Sequence, residues 1–373
     1  MNSGVCILGP RVGRVFEGDV AGGAELQMAL LARALGRSGI RCVIVDPKAR
    51  SSAGTASGPC TVVAVDGWDS GIRGIRFLTH RAPGLLRALL SVRASLYYTR
   101  GFSFFSIFAW AAARLRSARF ILAVASDADL LPFLDRYRSL YRGRAGLWDW
   151  ISTIIPDELT RGILQRCADA LLVQHEGQAR MAAGKGLKAR ICRNIVDDDL
   201  HAAARCEPRG RSVIMVGTLS RYKGLDVLPG LIESLPDVPF EFVGRATDVD
   251  GRRMSMMLAR LPNVTLHGPL PRAETVRRIA CAKVLLNTSP REGFPNTFLE
   301  AWAAGTPVVS LHVDPGGILR EHGLGVCCNG DLERLAAELR RETYGVDPAR
   351  ARAYIRDHHS GAAAVSVIAQ FIS

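Results

Sequence analysis

Two carboxylates, Glu292 and Glu300, flank a Gly/Pro turn that runs directly into a sequence typical of a helix. The turn follows an apolar run, 282–287, that predicts a short buried strand, and it precedes a predicted helix over 298–304. A strand-loop-helix turn exposes backbone N–H groups and the positive end of the helix dipole, which favour phosphate. Carboxylates there accept hydrogen bonds from hydroxyl groups. The segment therefore predicts a site for a ligand that carries both phosphate and sugar.

A second interpretation of the same residues is purely structural. Thr297 and Glu300 have the spacing of a helix capping box, and Glu292 has the composition of an ordinary loop acid. The local pattern leaves both interpretations open, so the rest of the chain has to decide between them.

Length and composition limit the classes of protein to which the chain can belong. Its 373 residues, 48% hydrophobic and 22% charged, predict a globular protein of two domains. Residues 1–9 lack the basic start and long apolar core of a cleavable signal peptide, and the apolar run 102–113 is too short to span a bilayer. Nine cysteines without CxxC spacing predict a reduced, cytosolic chain without a zinc site.

The positive charge lies in the first half of the chain. Residues 1–195 hold 27 Lys and Arg against 14 Asp and Glu, which accounts for the whole net charge of +13. Within them, 70–126 contains nine arginines and no carboxylate, interleaved with aromatic residues. Three interpretations compete: a membrane-surface face, a nucleic-acid face, or a solvated basic face over an ordinary core. No nucleic-acid-binding motif is present, and we favour the anionic membrane surface.

Apolar runs alternate with helical patterns along both halves of the chain. In the first half the predicted strands are 5–8, 41–45, 61–65, 95–98, 120–124 and 170–173. In the second half they are 213–216, 240–243, 264–266, 284–286 and 307–310. Acids, proline and glycine over 197–210 interrupt the alternation and predict a linker. The pattern predicts two α/β domains, each a doubly wound parallel sheet of Rossmann type, that face each other across a central cleft.

Ligands of such sheets collect at the carboxyl ends of the strands, so the loops after each strand are the candidates. Gly22 and Gly23 open the first helix of the first half, and the loop 217–224, with Lys223, follows the first strand of the second. Glycines let backbone approach a ligand closely, and Lys223 supplies positive charge for phosphate. Taken singly, these loops are also explained as a flexible helix start and a surface lysine. Their combination with the Glu292–Glu300 segment favours binding.

The second half resembles the retaining glycosyltransferases of family 4, which have the GT-B fold, over roughly 213–339. The resemblance rests on the Gly-x-x-x-x-x-Lys-Gly-Leu-Asp segment that starts at Gly217, on Phe-Val-Gly at 242–244, and on Glu-Gly-Phe-Pro-Asn-x-x-x-Glu-Ala at 292–301. Gly-Gly-Ala-Glu at 22–25, with the leucines that follow, is similar to the start of the family.

The resemblance implies a role for each matching residue. Glu292 would contact the hydroxyls of the donor sugar and Glu300 the ribose, while Lys223 would hold the diphosphate. Gly22 and Gly23 would approach the phosphate, and Gly244 would lie near the base. The backbone of the turn would also hold the diphosphate, through Gly293, Phe294, Pro295, Asn296 and Thr297. The implied chemistry, transfer with retention by front-face departure, requires neither a cofactor nor a metal.

Two positions depart from the family pattern. The family often has Arg after the glycine of the phosphate loop, where this chain has Thr218, and Arg221 is the candidate replacement. The family also often has His where this chain has Ser126, which leaves Asp127 as the candidate catalytic residue on the acceptor side.

These observations predict a cytoplasmic glycosyltransferase, peripheral to the inner membrane face, that takes a nucleotide-sugar donor and a lipid-linked or polysaccharide acceptor. The predicted domains are 1–196 for the acceptor, a linker 197–210, 211–350 for the nucleotide-sugar, and a C-terminal helix in 351–373 that the resemblance implies packs back on the first domain. Three alternatives remain: a nucleotide-sugar epimerase of the same fold, a non-catalytic sugar- or nucleotide-binding protein, and a nicotinamide-dependent dehydrogenase suggested by Gly9, Gly13 and Asp46.

Overall fold

The computed structural model describes residues 4–18, 22–49, 55–57, 60–72, 75–141, 146–197, 210–220 and 223–372. The chain divides into two compact units. The first unit is Met1–Ile195 together with Gly361–Ser373, and the second is Val196–Ser360.

The first unit is built on an eight-stranded sheet in the order β3-β4-β2-β1-β5-β6-β7-β8, in which only β3 runs antiparallel to its neighbour. The strands are β1 Gly4–Leu8, β2 Arg41–Asp46, β3 Thr55–Ser57, β4 Cys60–Ala64, β5 Leu96–Arg100, β6 Arg119–Ala123, β7 Ala170–Val173 and β8 Ala189–Ile191. Every residue of β1 and β7 is buried, as expected for strands covered on both faces. The winding direction reverses between β1 and β5, which makes that edge the switch point of the sheet.

The helices of the first unit mostly occupy the crossovers between its parallel strands. They are α1 Val12–Phe16, α2 Gly23–Arg37, α3 Ala82–Ser91, α4 Ser106–Leu115, α5 Phe133–Tyr141, α6 Leu147–Asp149, α7 Ile155–Cys167 and α8 Glu176–Ala183. Two π-helical turns, Phe77–Arg81 and Trp150–Ile154, lead directly into α3 and α7. A 3-10 turn, Asp127–Leu130, follows β6.

The last helix of the chain belongs to the first unit. Helix α16, Gly361–Ala369, packs on α2, and its Val365 and Ile368 lie in the same core cluster as Leu31 and Leu35. The predicted C-terminal element 351–373 is therefore divided, because residues 351–360 lie in the second unit.

The aromatic side chains of the basic segment 70–126 pack largely against protein rather than solvent. Tyr97, Tyr98 and Phe102 are buried, because β5 and the residues after it lie inside the sheet layer. The rings of Phe77 and Phe104 are in contact, tilted by 51° with centroids 5.3 Å apart, within a cluster of partly buried rings. The other members of that cluster are Phe105, Phe108 and Trp68.

The second unit contains a six-stranded, entirely parallel sheet in the order β11-β10-β9-β12-β13-β14. The strands are β9 Val213–Val216, β10 Phe240–Val243, β11 Val264–Gly268, β12 Val284–Asn287, β13 Val308–Ser310 and β14 Gly325–Cys327. This is the 3-2-1-4-5-6 order of a Rossmann sheet, so its switch point lies between β9 and β12.

Helices again connect the parallel strands of the second unit. They are α9 Leu228–Glu233, α10 Val249–Leu258, α11 Arg272–Cys281, α12 Asn296–Ala304, α13 Ile318–Glu321, α14 Leu332–Arg340 and α15 Pro348–His358. Helix α12 is the central one: Phe298, Leu299 and Trp302 are buried, and the Trp302 indole donates to the Leu324 carbonyl at 3.0 Å. The helix ends at Gly305, whose φ of 76° suits a left-handed C-cap.

Within the described part of the chain, every helix is too short or too polar to cross a lipid bilayer. Seven described cysteines are free thiols, whereas Cys281 is disulfide-bonded. The prediction of a fully reduced chain is wrong at Cys281, because scattered spacing does not reveal which cysteines the fold brings together.

Candidate active site

The loops that follow β9 and β12 meet at the switch point of the second sheet. Gly224 ends the first loop with φ 62°, and a Cβ there would lie 2.2 Å from the carbonyl oxygen of Thr288. The Thr288 hydroxyl donates to the Lys223 carbonyl oxygen at 2.7 Å. Only glycine permits this approach of two backbones, which fixes one loop against the other.

This contact brings together two residues that the sequence separates by 69 positions. The Lys223 ammonium donates to Oε1 of Glu292, and the two side chains form an ion pair. About a quarter of each side chain is exposed, so neither group is sealed in the core. Lys223 and Glu292, predicted as donor-binding from separate motifs, are therefore neighbours in one site.

A second backbone contact joins the loop after β9 to the loop after β10. A Cβ on Gly244 would lie 1.8 Å from the carbonyl oxygen of Gly217, and both glycines have φ near 140°. The amide of Leu219 donates to the Arg245 carbonyl oxygen at 2.9 Å. Thr218, at the tip between these contacts, is exposed. Gly244 thus lies beside the phosphate loop, at the edge where the base is predicted.

The turn 293–297 is held by its own apolar side chain. The Phe294 ring is buried, with its centroid 6.1 Å from that of Trp302 and 5.1 Å from that of His359. The Phe294 side chain therefore anchors the turn, and only its backbone is placed to face a ligand. Gly293 is buried, and Pro295 is the N-cap residue of α12.

The capping-box interpretation of Thr297 and Glu300 is wrong. Helix α12 begins at Asn296, so Thr297 lies inside the first turn, and no side chain caps the helix at Pro295. The helix starts two residues earlier than the apolar pattern predicts, since Asn296 and Thr297 are polar. The positive end of the helix dipole consequently lies directly after the Glu292 turn.

Glu300 is buried one turn into α12 and paired with a cation. Arg272 Nε donates to Glu300 Oε1 at 3.2 Å, and Arg272 Nη1 donates to Asp197 Oδ2 at 3.3 Å. Burial raises the pKa of Glu300 above the ordinary glutamate value, although the Arg272 guanidinium acts in the opposite direction. Arg272 was missed in the sequence, where it reads as one of several arginines on a polar helix.

In the first unit, Gly22 is the N-cap residue of α2 and Gly23 its first residue, both exposed. A Cβ on Gly22 would lie 2.5 Å from Glu25 Oε2, so the side chain of the first turn folds back over the helix start. Asp46, which suggested a dehydrogenase, accepts the amides of Arg11, Gly13 and Lys48 at 2.7 to 2.9 Å. Its carboxylate organises the loop after β1 and is not free for a ribose.

Asp127 lies in a polar network that joins the ends of β6 and β7. Its Oδ1 accepts from Gln178 Nε2 at 2.9 Å and lies 3.4 Å from His175 Nε2. Ser126 caps the 3-10 turn by accepting the Ala128 amide at 3.3 Å. His175 is buried and was missed, although it lies only two residues after the predicted strand 170–173, at the carboxyl end where ligands of such sheets collect.

The remaining predicted residue, Arg221, lies outside the described residues, and its replacement of the family arginine stays a prediction. Among the described residues, no three His, Cys, Asp or Glu side chains are grouped so that they would hold a metal ion. The positive charges placed at the candidate site come from Lys223, Arg272 and the start of α12.

Comparison with known proteins agrees with this architecture. Residues 210–342 match the family model described as glycosyl transferases group 1. No curated protein matches the sequence of the chain.

Solved structures with the same fold cover nearly the whole chain. Sucrose-phosphate synthase from Thermosynechococcus elongatus is 17% identical with a TM-score of 0.74, over 99% of this chain and 98% of that one. An α,α-trehalose-phosphate synthase (UDP-forming) from Burkholderia vietnamiensis is 15% identical with a TM-score of 0.65, over 99% of each chain. A glycosyltransferase from Rickettsia africae is 13% identical with a TM-score of 0.63, over 99% and 97%. The predicted GT-B fold is confirmed.

Proposed function

We propose that this chain, which has the GT-B fold and whose residues 210–342 match the model of glycosyl transferases group 1, is a glycosyltransferase. It would transfer a sugar, with retention of configuration, from a nucleoside-diphosphate donor to a membrane-associated or glycan acceptor. The product would be a cell-surface polysaccharide or glycolipid, made at the cytoplasmic face of the membrane. The observation that carries the proposal is the Lys223–Glu292 pair at the switch point of the second sheet.

The pair gives a cation and a hydrogen-bond acceptor side by side, which is what a sugar diphosphate needs at its two ends. Lys223 would hold the diphosphate together with the backbone N–H groups of 293–297 and the start of α12. Glu292 would accept hydrogen bonds from the sugar hydroxyls, and Glu300 from those of the ribose. Donor binding would then exchange the Lys223–Glu292 contact for two contacts with the ligand.

In the proposed reaction the bond between the anomeric carbon and the leaving phosphate oxygen breaks, and a bond to the acceptor oxygen forms on the same face. The acceptor proton passes to the leaving phosphate. Negative charge develops on the diphosphate, and Lys223 with the helix start would stabilise it. The reaction is proposed to proceed without a metal because these groups supply the positive charge.

The test incubates the protein with a panel of nucleotide-sugars, with and without acceptor. UDP-sugars come first, because the Burkholderia relative is named as UDP-forming. Acceptor-dependent release of nucleotide, with the anomeric configuration of the product retained by NMR, is the expected result. Isomerised donor without acceptor would identify an epimerase instead, and donor binding without turnover a non-catalytic binding protein.

A further inference from the structure

Among the described residues of the first unit, a large group of exposed apolar side chains lies outside the basic segment 70–126. It is carried by the continuous helical stretch 147–167, formed by α6, the second π-helical turn and α7. Its members, called here the exposed stripe, are Leu147 (78% exposed), Trp148 (73%), Ile151 (54%), Ile155 (48%), Leu159 (63%) and Ile163 (45%). Large apolar side chains exposed together at this density mark an interaction site.

The spacing of the stripe makes it one face of one helix. Leu147, Ile151, Ile155, Leu159 and Ile163 recur at every fourth position. Four residues advance an α-helix by slightly more than one turn, so such a row drifts gradually around the axis. The wider π-helical turn at Trp150–Ile154 opposes that drift. The result is a row about 24 Å long, at 1.5 Å per residue.

The opposite face of the same helix is fixed to the unit. Ile154, Thr160 and Leu164 are buried, and Asp157 accepts the amide of Phe104 at 2.6 Å. Arg161 pairs with Glu158 and also donates to the carbonyl oxygens of Asp129 and Leu131 at 3.3 and 3.4 Å. The stripe is therefore presented rigidly and does not result from a loosely attached helix.

The contact at Phe104 joins the stripe to the basic segment. The Phe104 ring contacts that of Phe77 in the first π-helical turn, next to exposed Ile75 and Leu78. Arg81 in the same turn lies over the Trp68 ring at 5.2 Å. Two exposed apolar patches thus flank one aromatic cluster, with arginine beside it.

We propose that the exposed stripe is a docking surface that lies in the plane of an anionic phospholipid bilayer. Its mixture of Leu, Ile and Trp on one helix face is what an interfacial helix inserts below the headgroups. Charge complementarity selects the bilayer, because residues 1–195 carry the entire net charge of +13. Residues 133–146, just before the stripe, hold four of the arginines in that range against one aspartate.

A second copy of the chain is a poorer occupant on grounds of size. Six side chains on one helix are far fewer than the about 20 to 30 residues per partner of a specific, stable interface. The docking deepens the proposed function, on which it rests for the membrane-bound acceptor.

The test is co-sedimentation of the full chain with vesicles of phosphatidylglycerol and phosphatidylcholine in equal parts, and with vesicles of phosphatidylcholine alone. The double variant Ile151→Gln/Leu159→Gln should bind the anionic vesicles about 30-fold more weakly than wild type. The matched control is Val249→Gln/Met256→Gln, which replaces two comparably exposed side chains on α10 of the second unit and should bind as wild type.

Unchanged binding by the stripe variant overturns the proposal, as does an equal loss in the control or equal binding to both vesicle types. Light scattering of wild type and stripe variant tests the alternative that the stripe joins two copies of the chain. A dimeric wild type and a monomeric variant, with vesicle binding unchanged, would also overturn the proposal. Turnover on a water-soluble acceptor is measured separately. If wild type shows no turnover on that acceptor, the transferase proposal is wrong, whereas the result on vesicle binding still holds.

Discussion

The carboxyl edges of the two sheets both bring a carboxylate next to a basic side chain, but they do so differently. In the second unit, Lys223 and Glu292 meet because two backbones touch at Gly224, and both side chains remain partly exposed. In the first unit, Asp127 meets His175 through a network that also includes Gln178, with the histidine almost fully buried. One pair is held by glycines and left open to a ligand; in the other, the Gln178 side chain donates to the carboxylate.

The difference indicates how each pair is used. Groups that must exchange a protein partner for a ligand need a fixed backbone and spare exposure, as at Lys223 and Glu292. A carboxylate that already accepts a hydrogen bond from a neighbouring side chain, as Asp127 does from Gln178, is suited to holding strand ends in place. We therefore expect the two sites to respond very differently to substitution.

The largest expected effect comes from Gly224, the glycine that positions the pair of Lys223 and Glu292. Gly224→Ala places a Cβ against the Thr288 carbonyl in a left-handed conformation, which should cost about 3 kcal/mol of unfolding free energy and abolish donor binding. Gly230→Ala, six residues on, meets no atom within 4 Å in α9 and should be neutral or stabilising by up to about 1 kcal/mol. Urea unfolding and donor titration check both. Equal behaviour of the two variants would contradict the role of the backbone contact.

The next largest effect is on turnover, when Lys223 or Glu292 is replaced. Glu292→Ala and Lys223→Ala should each lower kcat/KM by about 100-fold or more, since each removes a group that would touch the donor. The double variant should lose less than the product of the two, because the residues are partners. Glu233→Gln, an exposed carboxylate at the end of α9, is the control. Full turnover in folded Glu292→Ala would remove this pair from the donor site.

The third expectation concerns pH. Burial raises the pKa of Glu300, so the carboxylate takes up a proton at a higher pH than an ordinary glutamate does. Donor affinity should fall as pH falls through that raised pKa, because a protonated Glu300 accepts ribose hydrogen bonds poorly. The raised pKa of Glu300 also makes the free energy of unfolding depend on pH. Its contribution to stability is fully present below the pKa of Glu300 in the unfolded chain and is lost as pH rises through the raised pKa of the folded state.

The measurement is donor affinity by calorimetric titration of donor into the protein at a series of pH values. Glu300→Gln should bind about tenfold more weakly at neutral pH and should lose the acid limb. An identical acid limb in the variant would assign it to another group.

The smallest effect on turnover is expected at the pair of Asp127 and His175. Asp127→Asn keeps an acceptor for Gln178 and should lower kcat by about tenfold or less, with donor affinity unchanged. Steady-state kinetics against donor and acceptor separate these parameters, with the exposed Asp135→Asn as control. A fall of more than about 100-fold would restore Asp127 to the catalytic role that the resemblance predicts.

Much of the architecture could be predicted because parallel strands are buried on both faces and appear as unbroken apolar runs. β9, β10 and β12 follow this rule closely. Three of the four three-residue strands, β3, β8 and β14, were missed, since so short a run has no period. The fourth, β13, was predicted as part of the run 307–310. The meeting of Lys223 and Glu292 also lay beyond the sequence. It depends on β12 lying beside β9, which is a property of strand order and not of either loop.

The exposed stripe also could not be predicted from the sequence, because an apolar period alone does not show which face of a helix is buried. A row of apolar residues at every fourth position normally predicts the buried face of a helix. Here the buried face is instead formed by Ile154, Thr160, Arg161 and Leu164. Two of these side chains are polar, and Arg161 is satisfied by an ion pair and hydrogen bonds that only the fold reveals.

The return of α16 to the first unit has a consequence for how the chain is made. Ala364, Val365, Ile368 and Phe371 complete a core whose other buried members lie in the first 195 residues, while the second unit occupies one continuous stretch. During synthesis the second unit has its whole sequence available before the first one does. The first unit must wait with an apolar groove on α2 unfilled until residues 361–373 leave the ribosome, so removing them would leave that groove open for chaperones or aggregation.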